Sequence, residues 1–527
     1  VVDPALASES SLTPQKWFER LNAMYTAPTR PPWQDGMQRP STMTYQNGLS
    51  PAADAISRYW TPRHKFLDTL WSYRVGDPPL PQIEPEYHDV FRGVIRKARV
   101  NYAPMCIAAM LDRLELQAIS TLDDADTDGD DLAAEIMDET GFNAVSKDLF
   151  DYALSLGESY AMVVPGRAGD PVLGNGSPSP SIHAIPPWRC IGVPDWRNPV
   201  RLRAALVRQY DPITLEHNAF LFLPGWKWDL RWDGGVYKWD VAGEPERVTG
   251  LEALGGIPIV RFDNLNGMGE YEPHLDLLDR IIDTTLQRII GFWYQALRQR
   301  ALRGDENDED DQDTPESAQQ AGEPIDWNKL FRAGPGALWR IPKEFEIWES
   351  QQTDFGPLLN GKRDDVKEFA AVSSTPLHLI TPDAANGSAE GAGLLRESLT
   401  AKVRDRRARF SPSLKMLWRM AFAFAGEAER GRRMRLHWGP IEFRTLAEQA
   451  SASAQAQGTL STEDRCQRIW QMSPQDTARN MQRLTAEQLL ATPAAPPSPN
   501  QPGPLSPAPL SPVPAGVGPA ADDDNAA

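Results

Sequence analysis

IPIVRFDNLNGMGEYEPHLDLLDRIIDTTLQRIIGFWYQALRQRALRG, residues 257–304, decides how the rest of the chain is read. A short apolar strand passes through a turn rich in glycine and acids into one long helical pattern. Leu275, Leu278, Ile282, Leu286, Ile289, Trp293 and Leu297 recur at steps of three and four, which places them on one helix face. Leu277, Ile281, Ile290 and Ala296 widen that face. The spacing predicts a helix through residue 303, roughly 44 Å long at about 1.5 Å per residue. Glu270, Glu272, Asp276 and Asp279 lie at its start and Arg298, Arg300 and Arg303 at its end, an order that suits the helix dipole. So broad an apolar face requires other helices beside it, from this chain or from copies of it. The stretch reads as a strut with something different at each end.

Upstream, residues 1–50 are rich in Pro, Ser and Thr. Thr13-Pro14 opens a short helix carrying Trp17, Phe18 and Leu21. The following TAPTRPPWQDGMQRPST, with Trp33 and Met37, reads as an extended arm, either a plain tail or a strap across a neighbouring subunit. Phe66, Leu67, Leu70 and Trp71 share a helix face. Residues 91–114 are helical and 114–120 alternate like a strand. KDLFDYALSLGESYAMVVPG, residues 147–166, is a helix, then Gly157, then a strand. Alternation in 201–210 and 219–232 predicts half-buried antiparallel strands, with a hairpin at Asp233-Gly234-Gly235. Trp188, Trp196, Trp226, Trp228, Trp232 and Trp239 fall in this region. They fit a sugar-binding platform or, more simply, the packing of a thin sheet.

Between these lies LDDADTDGDDLAAEI, residues 122–136. Asp124, Asp126, Asp128, Gly129 and Glu135 match the spacing that wraps carboxylates around a calcium ion. Against that match, Asp131 stands where an apolar residue is usual, and a strand precedes the loop instead of a helix. The other reading is an acidic turn in which Asp130 or Asp131 caps the helix 132–140.

Downstream, seven acids fall between Asp305 and Asp313. A Gly-Pro-Gly turn and one or two strands follow by residue 350. A second helix begins near Asp354 with Pro357 in its first turn and ends by Ser374-Thr375-Pro376. Residues 377–393 read as a loop with no lysine or arginine. A long helix, 393–427, carries Arg396, Lys402, Arg404, Arg406, Arg407 and Arg409, with Pro412 set to kink it. Those cations suit nucleic acid or, in so acidic a chain, salt bridges to its own carboxylates. Residues 433–444 read as a strand pair around Gly439-Pro440. Residues 445–490 are helical, with Thr462 as one cap and Ser473-Pro474 opening another helix. The Pro- and Ala-rich remainder reads as a disordered tail.

The chain has 527 residues, 41% apolar and 24% charged, with net charge −18, which excludes a protein held to nucleic acid by a basic surface. Three scattered cysteines, Cys106, Cys190 and Cys466, form no metal pair and no disulfide framework. No stretch has the apolar length of a membrane helix, and VVDPALASES lacks the pattern of a signal peptide. The expectation is a soluble protein made in a reducing compartment. No Walker loop, G-x-G-x-x-G, G-x-S-x-G or H-E-x-x-H is present, and none of the seven histidines lies three or four residues from another. No catalytic, cofactor or metal residues are assigned.

The order of parts resembles the portal proteins of tailed double-stranded-DNA bacteriophages, of the type with long non-contractile tails. YRVGDPPLP followed by FRGVIRKARVNYAPMCIAAMLDRL is similar to the family's leading helices. KDLFDYALSLGESYAMVV matches its helix–Gly–Tyr–strand step. Residues 257–304 look like the strand leading into its first stem helix, and STPLHLITPDAANGSAEGAGLLRESLTAKVRDRRARF like its tunnel loop and long kinked helix. The likeness spans roughly residues 60–450. The acidic insertion at 305–323 and the calcium-like loop are not expected of the family as a whole.

The resemblance implies an α+β, multi-module subunit of a ring, normally of twelve copies, at one capsid vertex. Its modules would be an N-terminal arm (1–59), a wing (60–265), a first stem helix (266–303), a clip (304–351), a second stem helix (352–375), a tunnel loop (376–392), a kinked helix with wing return strands (393–450), a helical crown (451–492) and a tail (493–527). The apolar face from Leu275 to Leu297 would pack the stem. His378, Thr381, Asp383, Asn386, Ser388 and Glu390 would approach double-stranded DNA in the channel, without sequence specificity. Trp327, Phe331, Trp339 and Trp348 would dock partners at the clip. The implied partners are the terminase large subunit, a head-completion or adaptor protein, and the major capsid and scaffolding proteins, with no membrane and no cofactor. The subunit would be made in the host cytoplasm and end in the virion. It would be a conduit and not an enzyme. Two other readings stay open: a different capsid-associated protein, such as a scaffold or adaptor, or a glycan-acting enzyme using the Trp-rich sheet.

Overall fold

The computed structural model describes residues 12–27, 61–81, 93–121, 129–233, 238–241, 243–296, 300–303, 346–349, 354–380, 389–442 and 445–490. Val1–Ala478 form one compact unit and Arg479–Ala527 a second. Among the described residues the second unit holds only the last part of one helix.

Helix α1 (Pro14–Met24) is capped by Thr13, whose hydroxyl accepts from the Lys16 N–H. Leu21 and Tyr25 are buried against Ile191, Leu206 and Leu221 of the chain's own sheet. The Tyr25 hydroxyl donates to the carbonyls of Arg189 and Leu206 at 3.0 and 3.1 Å. This part of the arm is therefore anchored within its own subunit, whereas Trp33 and Met37 lie outside the described residues. Helices α2 (Arg63–Val75) and α3 (Ala103–Leu111) lead to strand β1 (Leu116–Thr121). Helices α4 (Asp131–Thr140) and α5 (Phe142–Leu156) follow, and Gly157, at φ 86°, turns α5 into β2 (Glu158–Val164). The helix–glycine–strand step read in the sequence is observed.

Strands β3 (Ser181–Ile185), β4 (Cys190–Pro194), β5 (Leu202–Asp211), β6 (Glu216–Leu223), β7 (Trp226–Asp233), β8 (Lys238–Val241), β9 (Glu246–Arg247) and β10 (Ile259–Asp263) build two sheets. One is six-stranded in the order β4-β5-β6-β7-β8 with β9 on β7, and the other runs β10-β2-β3. Every described strand pairing in them is antiparallel. The tryptophans act mostly as packing: Trp228 and Trp239 join the cluster under α1, and Trp188 packs edge-on against Trp71 and Tyr152.

The strut is helix α6 (Leu275–Ala296). It is shorter than the sequence pattern suggests, because Arg300–Arg303 leave the helix as strand β11 and pair with β12 (Glu346–Glu349). Helix α7 (Gly356–Val372) starts with Pro357, as read. A short helix α8 (Leu377–Ile380) precedes helix α9 (Ala389–Phe424), which contains Pro412. Helix α9 thus begins a turn earlier than residue 393, and the helical turn at 377–380 shortens the connection between α7 and α9. Strand β13 (Met434–Trp438) pairs antiparallel with β1. Among the described residues no second strand follows Gly439-Pro440 within 433–444; the first half of the expected pair finds a partner more than 300 residues away, which local propensity does not encode. Helices α10 (Leu446–Gln455), α11 (Thr462–Arg468) and α12 (Pro474–Leu490) end the described chain. Ser461, one residue before Thr462, caps α11, and Ser473 accepts from the Asp476 N–H at the start of α12.

The main core joins α5 to α9. Phe150 stacks on Phe410 at 5.3 Å, and Phe142 meets Trp418 edge-on at 5.0 Å. All three cysteines are buried and unlinked. No described helix is long and apolar enough to cross a membrane.

Candidate functional site

The candidate site is the strut together with what holds its two ends. At the lower end the chain leaves β10 and turns through residues 264–272 before α6 begins. This turn lies against the α5–β2 junction so closely that side chains are excluded. A Cβ at Gly157 would fall 2.3 Å from the Gly267 carbonyl oxygen, and one at Gly269 would fall 2.3 Å from that of Ser155. Glycine at both positions is a steric requirement. Tyr271 is fully buried and its hydroxyl donates to the Leu70 carbonyl at 2.8 Å, fixing the turn to α2.

Glu270 is the centre of this junction, its side chain 4% exposed. Its two carboxylate oxygens accept from Arg406 Nε and Nη2 at 2.6 and 3.2 Å. Lys402 Nζ lies 2.8 Å from Oε2, and Asn264 Nδ2 donates to Oε1 at 3.0 Å. Lys402 also donates to the Ser373 carbonyl at 2.9 Å, at the C-terminal cap of α7. One carboxylate therefore ties the start of α6, the end of α7 and the body of α9 together. Burial pushes the Glu270 carboxyl up, but the charges of Lys402 and Arg406 outweigh it and hold it below the ordinary carboxylate value. His274, one turn further on, is held below the usual imidazole value by burial and by the Lys402 charge.

Along the strut, Leu275, Leu278 and Ile281 enter the main core. Ile282 and Leu286 pack against Val94 and Ala98, with Ile289 half-buried beside them. The broad apolar face is thus covered in part by this chain's own residues. Helix α7 covers another side. Arg280 is paired with Asp365 at 3.0 Å and with Glu368. Gly291 accommodates Phe355, because a Cβ there would sit 2.5 Å from the Phe355 ring, and Phe292 meets the same ring at 4.6 Å. Trp293 is in the helix, but its side chain and Leu297 lie outside the described residues. Phe292, Val372 and Leu379 are exposed.

At the upper end the helices pass into a ladder. Arg300, Ala301, Leu302 and Arg303 stand opposite Glu349, Trp348, Ile347 and Glu346. The chain leaves along α6 and returns along α7, and the segment 304–345 starts and finishes at the same strand pair. Trp327, Phe331 and Trp339 lie outside the described residues, and Trp348 is placed only as a position on β12.

Of the loop residues, His378 is exposed on α8 and Glu390 is in the first turn of α9. Thr381, Asp383, Asn386 and Ser388 lie outside the described residues. The basic half of α9 is engaged mostly with the protein itself. Arg406 and Arg409 meet Asp405, and Arg407 donates to the carbonyls of Arg113 and Gly439, the latter at 2.8 Å. Arg404 is exposed, and the Arg396 side chain is outside the described residues. Lys402, Arg406 and Arg409 of this cluster are paired with the chain's own carboxylates. Nothing in the spacing of Glu270 and the two cations, 132 and 136 residues apart, signals that they meet.

Of the calcium-like motif, Asp124, Asp126 and Asp128 lie outside the described residues. Its last position, Glu135, accepts from the Gly174 N–H at 2.9 Å. Asp130 caps α4 through the Ala133 N–H and pairs with Arg430 at 2.7 Å. The capping reading of Asp130 is observed, and among the described residues no cluster of possible metal ligands occurs.

A family model described as "Phage portal protein, SPP1 Gp6-like" matches residues 82–489. No curated protein matches the chain. Among solved structures the chain is similar to "Neck of native GTA particle computed with C12 symmetry", at 13% identity and a TM-score of 0.40, over 75% of this chain and 98% of that one. It is similar to "Neck of empty GTA particle computed with C6 symmetry", at 13% identity and 0.38, over 76% and 92% of the two chains. A third is "Virion of native gene transfer agent (GTA) particle", at 13% identity and 0.38, over 76% and 98%.

Proposed function

Because this chain belongs to the SPP1 Gp6-like phage portal protein family, we propose that it is the subunit of a portal ring, normally of twelve copies, through which double-stranded DNA enters and leaves a capsid. The observation that carries this reading is the out-and-back strut. Two helices pack on each other, one starting and the other ending at one buried ionic junction, and between them the chain passes through a segment whose two ends share a strand pair. Such a strut holds a docking module at a set height above a wing while leaving its outer face for neighbours. Exposed Phe292 belongs to that outer face. A heterologous contact repeated by rotation closes into a ring.

In this reading α6 and α7 are the stem, 304–351 is the clip that meets the terminase large subunit and later a head-completion or adaptor protein, and residues 376–392 face the channel. That loop carries no lysine or arginine, so it forms no ion pairs with phosphates that would have to break at each step of translocation. The subunit is a passage and platform. Nucleotide hydrolysis belongs to the motor that docks on it.

Particle mass tests the reading. Purified full-length protein, examined by light scattering and negative-stain imaging across a range of salt and concentration, is expected to give rings with a central hole. A monomer under every condition overturns it. Deleting 383–391 tests the loop: packaging at the normal rate by such a mutant removes its assigned role at the DNA.

A further inference from the structure

A cavity of about 430 Å³ lies alongside β13, and it is not part of the strut or its junction. One wall is the strand and the two residues after it, consecutively from Arg435 to Pro440, and the other lining residues come mainly from α11 and the turn after it. Strand β13 has a single strand partner, β1, so its outer edge has no strand beside it among the described residues. An unpaired strand edge presents a row of N–H and C=O groups that can accept another extended chain.

Two of the glutamines lining the cavity come from different elements. On β1 the register slips between Leu116 and Ala118, which leaves Gln117 as an extra residue at the cavity wall. Bulges of this kind re-aim a side chain. Gln471, in the opposite wall, has φ 59°, a conformation costly for a residue with a side chain, and its amide donates to the Glu442 carbonyl at 3.3 Å. The charged groups lining the cavity are Arg435, Arg468 and Asp464. Asp464 is already paired with Arg468 at 3.1 Å, and Arg435 is exposed. His437 is hydrogen-bonded to Ser120 at 2.7 Å and is held below the usual imidazole value by burial and by Arg435, so it adds no positive charge near neutral pH. The lining is therefore net positive, in a chain whose overall charge is −18.

We infer that the outer edge of β13 is a strand-addition site for an extended, acidic segment of a partner protein. The segment pairs its backbone with β13 and sets its carboxylates against Arg435 and Arg468. This inference stands apart from the portal reading, because it uses only β13 and the wall opposite it.

The test uses the full-length protein in whatever assembly it purifies. The probe is a fluorescein-labelled seven-residue peptide alternating valine with glutamate, blocked at both ends. Binding is read by anisotropy, and pairing by deuterium uptake at residues 435–438. Saturable binding with slowed exchange there is expected. The same peptide N-methylated at alternate residues loses the backbone donors on one edge and is expected to bind at least tenfold more weakly. Arg435→Glu with Arg468→Glu is expected to weaken the acidic probe at least tenfold and to favour the lysine counterpart. Both arginines are largely solvent-facing, so these variants leave the fold intact. Arg435→Gln alone gives an intermediate loss. Equal binding of the N-methylated peptide, unchanged exchange at 435–438, or no binding by any probe overturns the inference. Protection of 435–438 in the free assembly, without any probe, also overturns it by assigning the edge to a second copy.

Discussion

Glu270→Gln is the most informative single change in this molecule. The substitution keeps the size of the side chain and removes its charge. Arg406, 5% exposed, and Lys402, 15% exposed, then lose the carboxylate that neutralises both. Breaking a buried pair by removing one partner costs about 3–5 kcal/mol, because the remaining charge is left uncompensated. Here two cations share one acid, and the Lys402 bond to the Ser373 carbonyl offsets part of the loss for that residue. The expected cost stays in the same range, about 3–5 kcal/mol. Hydrogen exchange resolves it locally, since opening free energies differ from region to region. Amides in 264–276, 370–376 and 402–410 are expected to exchange together, roughly 100- to 1,000-fold faster or more. Replacing Glu270, Lys402 and Arg406 together by methionine or leucine restores much of the loss, because an apolar replacement of a whole buried ionic group is often neutral. A cost below about 1 kcal/mol for Glu270→Gln, or acceleration confined to the turn around residue 270, refutes the claim that this carboxylate ties three elements together.

Ile282→Asp puts an unpaired carboxylate against Val94 and Ala98. It is expected to lower the thermal midpoint of the unassembled subunit, not only to block assembly, with faster exchange in 93–100 as the check. Gly291→Ala brings a methyl group against the Phe355 ring. The helix gains up to about 1 kcal/mol from the alanine, but overpacking costs about 1–3 kcal/mol, so a net loss in melting temperature is expected, and Phe355→Leu in the same chain should recover it. Acidification is expected to destabilise the fold in two stages. His274 and His437 resist protonation when folded, so the unfolded chain takes up protons first as pH falls below about 6.5, and the Glu270 contribution is lost as pH falls below about 4.5. Chemical denaturation at pH 7.5, 6, 4.5 and about 3 measures this; a rise in stability between pH 7.5 and 6, or no further loss below 4.5, contradicts it.

How much of this was legible from the residues alone varies with the range of the interaction. The step from α5 through Gly157 to β2, the Thr13 cap and the Pro357 start are local signals, and each is where the sequence places it. The end of the strut was misread because residues 297–303 continue a helical spacing, while the strand at 300–303 exists only through its pairing with 346–349. Met434–Trp438 was read as half of a hairpin for the same reason; its partner is β1. The calcium-like spacing was real as a pattern. Of its carboxylates only Glu135 is described, and it accepts from the Gly174 N–H; the cap that Asp130 forms is local, whereas its pairing with Arg430 is supplied only by the tertiary fold. The basic face of α9 has salt-bridge partners in Lys402, Arg406 and Arg409, yet the carboxylate that Lys402 and Arg406 share depends on the β10–α6 turn.

The shared strand pair at the upper end of the strut has a consequence for how such a chain changes over time. Because β11 and β12 fasten both ends of the segment 304–345 to one place, material added or lost between them does not alter the length or spacing of α6 and α7. The entropy of joining two fixed ends grows only logarithmically, about 0.6 kcal/mol for each doubling of the connection. Duplication or replacement within that segment, including its run of acids from Asp305 to Asp313, is therefore nearly free of penalty to the rest of the subunit. The ladder acts as a graft point, at which a lineage can exchange one inserted segment for another and leave the spacing of α6 and α7 unaltered.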